Sequence, residues 1–186
     1  MKRIAKKKLY EGQWLSLHEE IFVNKHGQEI RWEIVRRNNQ EEIIGIVLAR
    51  LVPSGKIILI KQFRPALNDY ILGVPIGMID GDGKGALREL KEETGYAGKI
   101  ISQSPVLSAN AGLTSDECRM FCVEVDESLP ANKNPQQHLE PTEDIEVITV
   151  PQEKIIPFLI AQQKKGVHIS SGLWYMFGIQ DFLRKK

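Results

Sequence analysis

The chain reads as an α/β protein: an α/β/α sandwich with a mixed sheet, preceded by an N-terminal β-hairpin extension. Three observations carry that expectation. Apolar and polar residues alternate through most of the first two-thirds of the sequence, the period of half-buried strands. One short helical stretch, near residues 83–94, interrupts the strands. Two more helical stretches, near 152–165 and 171–184, close the chain, an order that suits layers around one sheet.

Trp14 through Val23 reads as a first strand, and Asn24-Lys25-His26-Gly27 as a turn. Ile30, Trp32 and Ile34 then alternate with Arg31, Glu33 and Val35, giving a second strand. Asn38-Asn39-Gln40 is a polar break, so residues 1–40 are expected as an extension and 41–186 as the main domain. Ile43–Leu51 and Lys56–Gln62 flank Pro53-Ser54-Gly55 as a hairpin. Further strands are expected near 99–108, 117–125 and 144–150. Between the last two lies a long polar loop, and such loops in compact domains tend to carry function. Pro157 is expected to interrupt the helix near 152–165. Trp174, in the last helix, is expected in the core.

Composition excludes several classes. The chain has 186 residues and 42% hydrophobic residues, enough for one compact domain with an extension. With 25 basic and 24 acidic residues, bulk charge gives no case for nucleic-acid binding. Lys2, Arg3 and Lys6-Lys7-Lys8 read as a solvated basic terminus. Cys118 and Cys122 have no zinc spacing and, four apart on one strand face, no disulfide geometry. No apolar run reaches membrane-spanning length and no signal peptide is read. A soluble cytoplasmic protein is expected, with the nucleus as a second compartment.

The chemistry concentrates in Arg88-Glu89-Leu90-Lys91-Glu92-Glu93-Thr94-Gly95-Tyr96. On a helix, Glu93 lies about 40° from Glu89 and Glu92 about 60° to the other side, so three carboxylates share one stripe. Like charges at that spacing destabilise a helix by roughly 0.2–0.5 kcal/mol per pair. A hard cation such as Mg2+ would convert the repulsion into coordination. Gly95 stands where a helix end favours positive φ. The plainer reading of an isolated E-x-x-E-E is a solvated acidic face.

These residues resemble the second half of the Nudix hydrolase signature, G-x(5)-E-x(7)-R-E-U-x-E-E-x-G-U, with Leu90 and Tyr96 at the bulky apolar sites U. Gly77 resembles its opening glycine, but Arg88 follows by 11 positions instead of 14. No glutamate stands between them; Asp82 is the acidic residue nearest the expected place. The missing three residues amount to about 4.5 Å of helix rise. Gly81, Gly83 and Gly85 in the connection make a poor helix start. Within the superfamily, the chain is similar to the ADP-ribose and ADP-sugar pyrophosphatases. Gln62-Phe63-Arg64-Pro65, Trp14, Trp32-Glu33-x-Val35-x-Arg37 and the acidic loop Glu140–Val147 carry that likeness. The turn Leu107–Asp116 also resembles theirs, with Ala111 in place of a proline.

The resemblance implies a Nudix α/β/α sandwich and a homodimer built by the extension. It implies Glu89, Glu93, Glu92 and the main-chain carbonyl of Ile76 as ligands of Mg2+, and Mn2+ would fit the same oxygens. Glu143 is implied as general base or further ligand, with Glu140 in reserve. Arg64 and Arg37 would bind phosphate oxygens. Trp32, with Trp14 of the other subunit and Glu33 alongside, would hold the adenosine end of a nucleotide-sugar. Taken alone, Trp32 on an alternating strand reads as core, and Arg88 reads as a helix lock. Two alternatives stay open: a binding module that has lost turnover through the shortened signature, and a hydrolase of another nucleoside diphosphate derivative.

Overall fold

The computed structural model describes residues 1–38 and 41–184; of the expected polar break only Asn38 is among them. Strands β1 (Lys2–Glu11), β2 (Leu15–Val23) and β3 (Glu29–Arg37) form an antiparallel sheet in that order. The basic start is therefore a strand, and the extension has three strands where a hairpin was expected. Every residue of β1 is exposed, so burial cannot specify it. Backbone pairing with β2 does, with register shifts at Arg3/Ala5 and Lys8/Tyr10.

The remaining strands are β4 (Ile43–Val52), β5 (Lys56–Arg64), β6 (Asp69–Gly73), β7 (Ile76–Ile79), β8 (Lys99–Gln103), β9 (Leu107–Ser108), β10 (Glu117–Asp126), β11 (Ile145–Pro151) and β12 (His168–Ile169). They form one mixed sheet of nine strands, with the path β12-β6-β5-β4-β10-β8. β10 runs parallel to β4 and β12 parallel to β6; the other pairs are antiparallel. β4 and β5 touch at the register pair Arg50–Ile57 and then diverge. β4 goes on to pair with β7 and β5 with β11. That divergence opens the sheet where β7 feeds the acidic helix.

Among the described residues, four helices complete the fold: α1 (Gly83–Thr94), α2 (Pro130–Lys133), α3 (Ile155–Lys164) and α4 (Ser171–Arg184). Alternation along the strands divides the core between the two sheet faces. Val47, Ala49, Phe121 and Val123 pack with Ala86 and Leu90 of α1. Ile57, Leu59, Leu72 and Val150 pack with Leu159 of α3 and Leu173 and Phe177 of α4. Leu90 is fully buried, and its truncation to Ala would cost about 2–5 kcal/mol.

Several expectations are corrected. β6 and β7, short and set off by Pro65 and Pro75, were not anticipated. The strand expected over 99–108 breaks into β8 and β9, and the long polar loop contains α2. Pro157 does not interrupt a helix. A 3-10 turn over Gln152–Lys154 precedes α3, placing Pro157 in its first turn, where an N–H would lack an intrahelical acceptor anyway. Trp174 is 42% exposed rather than core: it lies against the edge left by Gly178, where a Cβ would come within 2.9 Å of its ring.

Candidate active site

α1 begins after a turn in which Gly81 has φ +88°. The Asp82 carboxylate accepts from the N–H groups of Lys84 and Gly85, satisfying two of the free amides of a helix start. Asp82 is thus the cap, and the glycine-rich start is a close-packing device. A Cβ at Gly83 would lie 2.4 Å from Ile100, and one at Gly85 2.8 Å from Ile79. The far end stops at Gly95, with φ +76° and its N–H donating to Lys91 O. Lys91 Nζ donates to Gly95 O at 2.6 Å.

The helix hangs its carboxylates over β7. A Cβ at Gly77 would lie 2.0 Å from the Glu89 carboxyl carbon, so only glycine lets Glu89 settle there. Glu93 is 1% exposed and accepts one hydrogen bond, from the Ile76 N–H at 3.1 Å. Burial pushes its pKa up to about 8, and the charges of Glu143 and Glu89 push the same way; the Ile76 N–H and Arg64 oppose them. Glu89 is also raised, first by burial and further by Glu92 and Glu143, with Arg88 opposing. Arg88 forks onto Glu89 at 2.6 Å and Glu92 at 2.7 Å. It is the lock its sequence position suggested.

The loop between β10 and β11 is tied to this helix. Gln137 Nε2 donates to Glu93 O at 2.7 Å and to Ile145 O at 3.1 Å, and the His138 N–H donates to Glu92 O at 2.8 Å. These bonds satisfy carbonyls that a helix end leaves open. The next residues turn at Glu140–Glu143. There the Glu143 N–H donates to Glu140 O, and the Glu140 N–H to the Glu143 carboxylate, both at 2.9 Å. Beyond them, Asp144 accepts from the Tyr70 hydroxyl, and its carbonyl accepts from the Phe63 N–H. Glu143 is thereby held close enough to act electrostatically on both Glu89 and Glu93. Glu140 is exposed and serves as the other half of the turn.

The fold therefore gathers Glu89, Glu92, Glu93, Ile76, Glu143 and Arg64. The other residues expected to contact substrate lie elsewhere. Arg37 faces Asp116 at 3.3 Å and lines a cavity of about 240 Å³ that reaches Met78 on β7. Trp32, 46% exposed, lines an adjoining cavity of about 310 Å³ with Phe22 and Ile34, and the two cavities share Arg36 and Ser115. It is not a core residue. Trp14 is 74% exposed, and Glu33 is exposed on β3. Trp14 O accepts from the Asn38 N–H, six strand positions from Trp32, so the two main-chain positions lie about 20 Å apart along the sheet.

Among the described residues, no three His, Cys, Asp or Glu side chains are grouped as a ready metal site. The donor set nonetheless fits a divalent cation. Glu93 is a buried carboxylate given a single backbone donor and two carboxylate neighbours, an arrangement positive charge would relieve.

Sequence reasoning missed Asp82, Gln137 and Tyr70 as supports. Asp82 carried a usable signal, an Asp immediately before a helical stretch; the other two carried none.

No family model matches the chain. Curated relatives do match along most of its length. A Caenorhabditis elegans protein named as nudix hydrolase 2 is 34% identical, with 92% of this chain and 82% of the relative covered. An ADP-ribose pyrophosphatase of Saccharomyces cerevisiae is 35% identical, covering 89% and 76%. An ADP-sugar pyrophosphatase of Mus musculus is 31% identical, covering 81% and 73%. The chain belongs to the Nudix hydrolases. A solved structure described as an ADP compounds hydrolase superposes with a TM-score of 0.62 at 19% identity, covering 89% of this chain and 96% of that one. The fold is accordingly the Nudix α/β/α sandwich with a mixed sheet.

Proposed function

We propose that this protein is a Nudix pyrophosphatase that hydrolyses the diphosphate bond of ADP-ribose or a related ADP-sugar, giving AMP and a sugar phosphate. The relatives named for those two activities support the substrate class. The observation that carries the chemistry is Glu89 seated over Gly77 and Glu93 buried on the Ile76 N–H, with Glu143 and Arg64 near enough to act on Glu93.

Glu89, Glu93, Glu92 and the Ile76 carbonyl would hold Mg2+, or Mn2+ through the same oxygens. Bound there, the cation would draw charge off the diphosphate and make water a better nucleophile. Glu143, steadied by its turn with Glu140, accepts the proton of the attacking water. Arg64 and Arg37 bind phosphate oxygens through their forked donors. Trp32 stacks on adenine, with Glu33 beside it. The partner subunit's Trp14 supplies the other aromatic wall, because about 20 Å of strand separates the two main-chain positions within one chain. Residues 1–40 then act as the dimerising, adenine-binding extension and 41–186 as the hydrolase domain.

The two free cysteines suit a reducing compartment such as the cytoplasm. Among the described residues, no helix is long and apolar enough to cross a membrane.

The binding-module reading rests on the shortened signature. A capped α1 with its carboxylates in place weighs against it. The test is AMP release from ADP-ribose with Mg2+ by the purified protein, and its loss in Glu93→Gln. Tight binding of ADP-ribose without turnover under any divalent metal would favour the binder. A panel of GDP-sugars, NADH and dinucleoside polyphosphates tests the third reading.

A further inference from the structure

The connection from β7 to α1 lacks the length to build another helical turn, so something else must set where α1 starts. Arg119 is placed to do it. On β10 it pairs in register with Gly45 of β4, and Gly45 with Gly77 of β7. Residues in one such row face the same side of a sheet, here the side on which Glu89 rests over Gly77. Neither glycine puts a side chain in the path. The Arg119 Nη1 donates to the Gly81 carbonyl at 2.8 Å, and its Nε is buried without a hydrogen-bond partner among the described residues. Arg119 is half-buried, and among the described residues its guanidinium makes one hydrogen bond, which grips the turn that feeds the helix.

We propose that Arg119 is a positioning residue: by holding Gly81 it fixes the axial placement of α1 and so sets Glu89 on Gly77. Asp82 caps the helix, but a cap satisfies amides of the helix itself and ties it to nothing else. Gly83 and Gly85 let the first turn press against Ile100 and Ile79, yet glycine gives that turn little stiffness. The Arg119 bond is a polar link between the turn and the sheet. The inference rests on the hydrolase reading for its catalytic half only.

The test compares Arg119→Met, Arg119→Lys and the control Arg50→Met, which removes the exposed Arg50–Glu124 pair. Amide hydrogen exchange is read on metal-free protein, and kcat and KM for ADP-ribose are read with Mg2+. In Arg119→Met, exchange over 83–88 should accelerate about tenfold or more, the loss expected for a hydrogen bond from a charged donor. The amides of β4 and β10 should keep wild-type protection. The kcat should fall by about tenfold with KM little changed. Arg119→Lys should recover part of both, and Arg50→Met should change neither.

Wild-type exchange over 83–88 in Arg119→Met overturns the proposal, whatever the activity. Loosening that spreads through β4 and β10 overturns it as well, since the role would then be sheet stability. Local loosening with unchanged kcat overturns the link to the carboxylates. Absence of ADP-ribose turnover in the wild type would sink the substrate reading and leave the exchange result to judge Arg119.

Discussion

Two glutamates are each 1% exposed, and the protein treats them in opposite ways. Glu20, at the centre of the three-stranded sheet, receives Arg3 at 3.0 Å and Arg36 at 2.8 Å. Burial alone would raise its pKa, but the two guanidinium hydrogen bonds outweigh it and hold the carboxyl below its ordinary value. Glu93, over the nine-stranded sheet, has one backbone N–H and two carboxylate neighbours, and is pushed up to about 8. The first is a completed structural pair. The second carries an unmet need for positive charge, a perturbation of the kind that gathers at functional sites and that suits the cation proposed above.

The sharpest way to break this contrast is to neutralise each carboxylate. Glu93→Gln should lower kcat for ADP-ribose hydrolysis by about a thousandfold or more, while the thermal midpoint of the metal-free protein stays the same or rises. A large loss of stability would show that Glu93 is structural after all. Glu20→Gln should leave Arg36, with only 18% of its side chain exposed, short of its partner. Chemical denaturation should report a loss of about 2–4 kcal/mol. An unchanged denaturation curve would remove Glu20 from the comparison.

Acid tests the same pair with a definite sign. The folded pKa of Glu20 is depressed, so its stabilisation is present above the unfolded value. It is lost as pH falls through the folded value. The β1–β3 amides should lose exchange protection below about pH 4, where an unfolded Glu titrates, and Glu20→Gln should flatten that response.

Trp32 is the register partner of Glu20, so it asks whether this sheet is only scaffold. Trp32→Ala should raise KM for ADP-ribose about tenfold with kcat nearly constant, the scale of one lost base stack. An unchanged KM ends the stacking assignment. Smallest is Arg3→Ala: its side chain is 52% exposed, and solvent screening should hold the loss in a melt to about 1 kcal/mol or less.

What the sequence made legible follows from how each element is specified. The bounds of α1 were readable because a stripe of carboxylates and Gly95 mark its face and its end. The four glutamates of the candidate site were proposed from the motif and its acidic loop. β1 was unreadable because Lys2, Lys6, Lys7 and Lys8 give no burial pattern. Its partner β2 buries Ser16, His18 and Glu20, the reverse of the usual alternation. Trp32 and Trp174 were open to a core reading for the complementary reason: a large aromatic on a patterned element looks buried until its neighbours are known. The supports of the site stayed hidden because they join distant main-chain atoms. Arg119 reaches Gly81 and Gln137 reaches Glu93 O, bonds that leave no side-chain pattern along the chain.

The lysine-rich outer strand has one more consequence. The free edge of β1 is a row of amides and carbonyls that could template further strands. An identical strand laid alongside would set ammonium groups against ammonium groups on both faces. The register breaks at Arg3/Ala5 and Lys8/Tyr10 would also spoil the flat edge that stacking needs. The charge and the broken register both work against edge-to-edge growth at this strand.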